Sequence, residues 1–305
     1  MEFGKVSSDN INNIDFSLPE CHPGSLSVLG KQKANQVQVY TGCPIWSDDA
    51  FVGSIYPSHA KSKDYVKYYG RQFNSIELNI SHYQYLEPQR IQKWVDLTPN
   101  HFKFFPKVQN TISHTPLLKY NADIMRDFLT NMQNFKHKLG TPFLQLPESY
   151  DSSKVNDLLT FLDEVAMSNF AIELRHASWF NNELILKHLC NYFYKNNITF
   201  LILDTGGRRD VIHQRLTTKK AFIRFLANDL HPTDYTRIND WVKQLAIWID
   251  NGLEEVGFFF HTPTNALMPD LVSYFAKEMA KQTGIKVTPP KINRGGSSFQ
   301  DNKLF

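Results

Sequence analysis

Ile198-Thr199-Phe200-Leu201-Ile202-Leu203-Asp204 is the stretch on which the fold turns. Phe200, Leu201, Ile202 and Leu203 follow one another with no polar residue between them, so the segment has no face to offer water. A β-strand covered on both sides reads this way, as in a parallel sheet packed under helices. The run stops at an acid and a turn, Asp204-Thr205-Gly206. A second run of the same kind, Gly257-Phe258-Phe259-Phe260, stops at His261.

Outward from these two runs, short β-rich apolar segments recur at residues 37–41, 75–79, 102–106, 142–146, 170–174, 198–203, 221–225 and 256–260. The segments between them are long enough for the crossover helices that parallel strands require. Residues 184–194 and 241–251 carry apolar side chains at helical spacing, and Gly252 stands where a helix C-terminus favours glycine. Strands in strict alternation with helices predict an α/β chain folded as a single (β/α)₈ TIM-type barrel over residues 37–284. An open doubly wound sheet is the rival, but the Gly-rich phosphate loop that usually follows its first strand is missing. Residues 1–36, rich in Asn and Ser, read as an N-terminal extension. Residues 285–305, with Pro289-Pro290 and Gly295-Gly296-Ser297-Ser298, read as a flexible C-terminal tail.

Composition narrows the class. A chain of 305 residues with 42% hydrophobic side chains can bury a large core without disulfide staples. Its 33 basic and 30 acidic residues leave a net charge of +3, which gives no electrostatic ground for a dedicated nucleic-acid binder. Cys21, Cys43 and Cys190 are widely spaced and odd in number, which fits a reducing compartment and neither a disulfide framework nor a zinc site. The opening residues lack a basic segment followed by an apolar run, and no stretch approaches the roughly 18 apolar residues of a membrane helix. The expectation is a cytoplasmic globular protein with no membrane contact.

A (β/α)₈ barrel carries its chemistry at the C-terminal ends of its strands, and nearly every strand expected here ends on a polar group. The first leads through Thr41-Gly42 to Trp46, and the second ends at Glu77 and Asn79 with His82 and Tyr83 beyond. The third reaches Lys107 and then His114, the fourth Gln145, and the fifth Glu173, Arg175 and His176 with Trp179 following. The last three supply Asp204, then Arg224 and Asn228, then His261 and Asn265. Burying such groups is costly unless they pair with one another or with a ligand.

The candidate catalytic set is Glu77, Glu173, Lys107, His176 and Asp204. Trp46, Tyr83, Gln145, Arg175, Trp179, Arg224, His261 and Asn265 are the candidate substrate-binding residues. Glu77, Glu173 and Asp204 suit acid–base work or metal ligation, and equally a fixed salt-bridge network with Lys107, Arg175 and Arg224. Arg175 and Arg224 suit a bidentate clamp on a carboxylate or phosphate. The histidines suit proton transfer or metal binding, and as single residues also plain hydrogen bonding. Trp46, Tyr83 and Trp179 suit stacking on a sugar or base, and equally packing. Asp204-Thr205-Gly206 spells the aspartic-protease triplet, yet that chemistry needs two such aspartates. Gly206-Gly207-Arg208-Arg209 is too short a signal for an anion cradle.

At these same residues the chain resembles the YecE-like TIM-barrel family, a domain of unknown function (DUF72). The resemblance rests on Thr41-Gly42 with Trp46, Gly53-Ser54-Ile55-Tyr56-Pro57, and Phe73-Asn74-Ser75-Ile76-Glu77-Leu78-Asn79. It continues through Phe102-Lys103-Phe104 with Lys107, Gln145-Leu146-Pro147, and Glu173-Leu174-Arg175-His176 with Ser178-Trp179. It spans about residues 37–280 and implies the barrel, but no reaction. Ile80-Ser81-His82 and His261 depart from the family's usual residues, and both lie at the expected pocket.

The reading that follows is an enzyme using acid–base chemistry on a small polar or anionic ligand, such as a phosphorylated or sugar-like compound. A divalent metal held by Glu173, Asp204 and His176 or His261 ranks below metal-free chemistry, since no local spacing attests the ligands. A nucleic-acid-associated, repair-type protein and a non-catalytic ligand-binding barrel are the rivals. The final peptide, Gln300-Asp301-Asn302-Lys303-Leu304-Phe305, loosely resembles tails that dock on a bacterial sliding clamp.

Overall fold

In the computed structural model, which describes residues 3–7, 9–115 and 118–293, every strand expected from the sequence forms. They are β1 (Gln38–Gly42), β2 (Ser75–Leu78), β3 (Lys103–Pro106), β4 (Phe143–Gln145) and β5 (Ala171–Glu173). The all-apolar run divides at Leu201 into β6 (Thr199–Phe200) and β7 (Ile202–Asp204), and β8 (Lys220–Leu226) and β9 (Glu255–His261) follow. The helices are α1 (Pro23–Leu29), α2 (Tyr65–Gln72), α3 (Ile80–Tyr83), α4 (Pro88–Leu97) and α5 (Asn110–Ser113). After these come α6 (Ala122–Met132), α7 (Val155–Val165), α8 (Glu183–Lys195), α9 (Pro232–Asp250) and α10 (Met268–Thr283). Helix α9 starts well before the expected residue 241, with His231 as its cap and Pro232 in its first turn. It ends as expected, with Gly252 at φ 115°, a conformation that glycine adopts without strain.

Every ladder is parallel, so the chain is a mixed α/β protein with parallel sheets. The expected single closed sheet is not what the ladders form. They fall into three sheets, ordered β1-β9-β8-β7, β2-β3 and β4-β5-β6. Where ladders stop, other links take over. Asn74 joins β1 to β2 by its side chain, donating to Val39 O at 2.7 Å and accepting from Thr41 N at 2.9 Å. Gly42 permits that approach, since a Cβ there would lie 2.1 Å from Ser75 O. A single bridge, Lys107 opposite Phe143, joins β3 to β4.

The main core lies between strands and helices. A smaller cluster lies on the other side of the strands: Phe105, Phe143, Ala171, Leu201, Phe222 and Phe259, with Tyr40 against it. Side chains along a strand repeat every two residues. The positions two residues further along the chain are Lys107, Gln145, Glu173, Leu203, Arg224 and His261. The sequence thus places a layer that is polar at all of these positions but Leu203 directly above an apolar floor.

The segment before β1 is more than an extension. Ser25 in α1 donates to Gln214 O and accepts from Leu216 N, each at 3.0 Å. Gly4 O accepts from Gly207 N at 2.9 Å and from Thr205 Oγ1 at 2.7 Å. Past residue 284 the chain also returns to the body, with Lys291 N on Gln72 Oε1 at 2.8 Å and Asn293 N on Ser54 O at 2.9 Å. The peptide at residues 300–305 lies outside the described residues. Among the described residues no helix is long and apolar enough to cross a membrane.

Candidate functional site

Arg224, wholly buried on β8, is the centre of the polar layer. Its Nε and one terminal nitrogen meet Glu77 at 2.9 and 2.8 Å, and its other terminal nitrogen meets Glu173 at 2.6 Å. Arg175 Nε donates to the second oxygen of Glu173 at 2.5 Å, and His261 Nε2 lies 2.9 Å from Glu77 Oε2. Burial pushes both carboxyls up, but the arginine charges outweigh it. Arg224 holds Glu77 well below the usual carboxylate range, and Arg175 with Arg224 holds Glu173 at about 2. Both are therefore anions at neutral pH. His261 is pulled the other way: burial lowers it below its ordinary value despite the pull of Glu77. A neutral His261 donates Nε2–H to Glu77, which fixes its tautomer and leaves Nδ1 as the acceptor.

Above this layer lies a cavity of about 960 Å³. Asn79, His82 and Tyr83 line it from beyond β2, Lys107 and His114 from beyond β3, Gln145 from β4 and Arg175 from beyond β5. Asn228, Asp229 and His231 line it from beyond β8, His261 from the end of β9 and Asn265 from beyond it. Residues 3–6 close part of it, with the Phe3 ring 4.5 Å from the guanidinium carbon of Arg175 and 4.9 Å from that of Arg208. Asp229 is the sole acid among the described lining residues, against Lys5, Lys107 and Arg175. Burial, then the Arg224 charge, brings the Lys107 ammonium down to about 7, against the opposing pull of Glu173. His82 is held at about 4 by burial and by Lys107, and His114 is lowered by the same two causes.

The cavity brings together six of the expected residues: Tyr83, Lys107, Gln145, Arg175, His261 and Asn265. Glu77, Glu173 and Arg224 form the network beneath it. The others lie elsewhere. Trp46 packs edge-on against Trp94 at 4.9 Å, and the buried Trp179 donates Nε1–H to Tyr150 O at 2.7 Å. Their rings fill the structure and do not line the cavity. His176 caps a short turn by accepting from Ser178 N at 3.2 Å. Asp204 belongs to a second buried cluster, accepting from Arg237 at 2.7 Å, from Trp241 Nε1 at 2.7 Å and from Arg209.

The candidate metal set of Glu173, Asp204 and a histidine is therefore not assembled. Glu173 faces Arg175 and Arg224 while Asp204 faces Arg209 and Arg237. Among the described residues no three His, Cys, Asp or Glu side chains converge as metal ligands. Sequence reasoning missed Phe3, Gly4, Asp229 and His231. Only the aromatic at position 3 and the polar cluster after β8 could have hinted at them.

The profile described as "Protein of unknown function DUF72" matches residues 40–294. The chain belongs to the DUF72 family. UPF0759 protein YecE of Escherichia coli strain K12 is 27% identical over 286 residues, covering 88% of this chain and all of that one. UPF0759 protein YunF of Bacillus subtilis strain 168 is 25% identical over 171 residues, 53% of this chain and 56% of YunF. Crystal structures of two DUF72 family proteins share the fold. The one from Enterococcus faecalis V583 has a TM-score of 0.62 at 18% identity, over 82% of this chain and 99% of that one. The one from Thermotoga maritima MSB8 has a TM-score of 0.59 at 19% identity, over 81% of this chain and all of that one. The DUF72 match thus takes in β1 from Tyr40 on, every later strand, and all of the cavity wall except the N-terminal segment.

Proposed function

We propose that this DUF72 protein is an enzyme that binds a small anionic, polar compound in the cavity and acts on it by acid–base chemistry. The observation that carries this reading is the charge of the cavity wall. Lys107 and Arg175 face the space, while the carboxylates beneath them are already matched by Arg224. An anionic ligand supplies the counter-charge that Lys107 lacks. His261, its tautomer set by Glu77, takes or returns the proton at Nδ1. Gln145 and Asn265 supply neutral hydrogen bonds that orient the ligand. We also read the three sheets as arcs of one (β/α)₈ wall. The inner apolar cluster supports this, since it draws side chains from β1, β3, β4, β5, β8 and β9.

Thermal unfolding with phosphate, sugar phosphates, short carboxylates and nucleotides tests the proposal. A ligand at about 100 times its Kd adds roughly 2.7 kcal/mol to stability. A shift with one anion class, reduced in Arg175→Gln, supports the site. No shift with any anion sinks it. The exposed ring of Tyr83 at the rim favours a second reading, stacking of a nucleic-acid base. Oligonucleotide retention with steep salt dependence, lost in Tyr83→Ala, would select that reading.

A further inference from the structure

Lys107 and Lys138 are both buried lysines, and they differ in what they touch. Lys138 Nζ donates to Val95 O at 2.6 Å, to Thr98 O at 2.7 Å and to Thr98 Oγ1 at 3.3 Å. That is a structural lysine with all its donors used. Lys107 Nζ makes no hydrogen bond or ion pair among the described residues, although it is only 7% exposed and lines the cavity. The carboxylates that could neutralise it, Glu77 and Glu173, are held by Arg224 and Arg175 instead. A buried amine aimed at an open cavity, denied a partner by its own surroundings, is costly to keep and suited to attack.

We propose that Lys107 is a nucleophile that forms an imine with a small carbonyl compound bearing a carboxylate or phosphate group. This rests on the anion-binding reading of the cavity and adds the reacting functional group.

The groups facing the amine make the chemistry feasible. Arg224 from β8 and Arg175 from beyond β5 repel a proton from it. Glu173 and Glu77 oppose them, and His82 and His114 flank it from beyond β2 and β3. With its ammonium brought down to about 7, a substantial share of the Lys107 side chains carries a free lone pair at neutral pH. An exposed lysine near 10.4 is about a thousandfold poorer in the neutral form. The neutral nitrogen attacks the carbonyl carbon, the C–N bond forms as the C=O π bond opens, and the oxygen takes a proton as the nitrogen gives up the first of its two. The carbinolamine then loses that oxygen as water, with a second proton delivered to it and the nitrogen proton given up. Amine and carbonyl thus become imine and water, with no oxidation or reduction. His82, held neutral, has its Nδ1 on Val108 O at 2.7 Å, so its Nε2 remains for relaying these protons. Arg175 takes the anionic group.

Reductive trapping tests this on the full chain. Protein at pH 7 is treated with sodium cyanoborohydride and pyruvate, dihydroxyacetone phosphate or, as an uncharged probe small enough for any cavity, formaldehyde. Adducts are then mapped by peptide mass spectrometry. The expected result is labelling of Lys107 at least tenfold faster than of the exposed Lys243, with one of the two anionic probes outpacing formaldehyde. The preferred probe then distinguishes a carboxylate-bearing from a phosphate-bearing ligand. The Lys107→Met variant should lose this adduct alone. The wild-type map decides the matter even if that variant folds poorly. Labelling of Lys107 no faster than of Lys243 by all three probes overturns the imine. If an anion still raises the unfolding temperature in that case, the anion-binding reading stands without it. If none does, both fall.

Discussion

Arg224 grips Glu77 through two parallel hydrogen bonds, at 2.9 Å from Nε and 2.8 Å from a terminal nitrogen, with neither side chain exposed. The remaining nitrogen goes to Glu173, so one guanidinium matches two carboxylates. On the proposed reading Glu77 and Glu173 are positioning groups: they hold His261 and Arg175 and set the field around Lys107, and proton transfer is assigned to groups that face the cavity.

Removing the cation should therefore be severe. Arg224→Met leaves two buried anions without their partner, and breaking a buried pair typically costs about 3–5 kcal/mol. Arg224→Lys keeps the charge but loses the fork, so an intermediate loss is expected. Urea unfolding followed by tryptophan fluorescence measures both. A loss in Arg224→Met below about 1 kcal/mol would mean that the pairing does not form.

Acid should unfold the protein in two overlapping stages, both of the same sign. His213, stacked on Phe200 at 4.0 Å, is held at about 3 by burial, and His82 at about 4. The unfolded chain takes up protons near 6.5 that the folded chain refuses, so stability declines below that pH until the folded histidines titrate. Glu173, held at about 2, and Glu77, held lower than usual, have folded values below their unfolded ones. Their contribution is present above about 4.3 and is lost as pH falls toward 2. Urea midpoints between pH 7 and pH 3 should fall throughout. His213→Phe should flatten the decline between pH 6 and pH 4, and an unchanged slope would locate the uptake elsewhere.

The strands were legible in the sequence because burial on both faces leaves a direct mark, unbroken apolar runs such as Phe200-Leu201-Ile202-Leu203. The polar layer was legible for a related reason. Strand periodicity carries Phe143 to Gln145 and Phe259 to His261 on one side of the sheet, so strand ends point to the site. Pairing was not legible. Nothing near Asp204 in sequence announces that Arg237 and Trp241, a helix away on α9, will claim it. The split into three sheets was hidden as well, since it depends on local approaches such as Asn74 between β1 and β2.

Asp204 should behave as a structural residue. Burial raises its carboxyl and Arg237 and Arg209 outweigh that, so it is ionised and matched. Asp204→Asn keeps the shape, removes the charge and leaves Arg237 short of its partner. A loss of several kcal/mol is expected, in line with other buried pairs. The folded fraction should still label at Lys107 at the wild-type rate under cyanoborohydride. A variant of normal stability with altered labelling would return Asp204 to the site.

The N-terminal segment should control access to Arg175. Phe3 lies against Arg175 and Arg208, and Gly4 O is tied to Gly207 N and Thr205 Oγ1. Phe3 meets two cations, of which Arg175 is buried, and such contacts are worth about 0.5–1 kcal/mol at exposed sites and about 2 kcal/mol when desolvated, so Phe3→Ala should lower the urea midpoint without unfolding the chain. It should uncover the guanidinium all the same. Phenylglyoxal modification of Arg175, followed by peptide mapping, should then run several-fold faster than in the wild type. Gly207→Ala reaches the same end by another route, because its Cβ would lie 3.0 Å from the carbonyl of Gly4 and from Lys5 O. That backbone contact makes the segment give by a few tenths of an ångström while leaving Phe3 intact, so a smaller acceleration than in Phe3→Ala is expected. Faster modification in both variants, with Arg71 as the exposed internal standard, would establish the segment as the cover of this wall. Unchanged rates in both would show that Arg175 is reached past Phe3 and that the segment covers nothing the ligand needs.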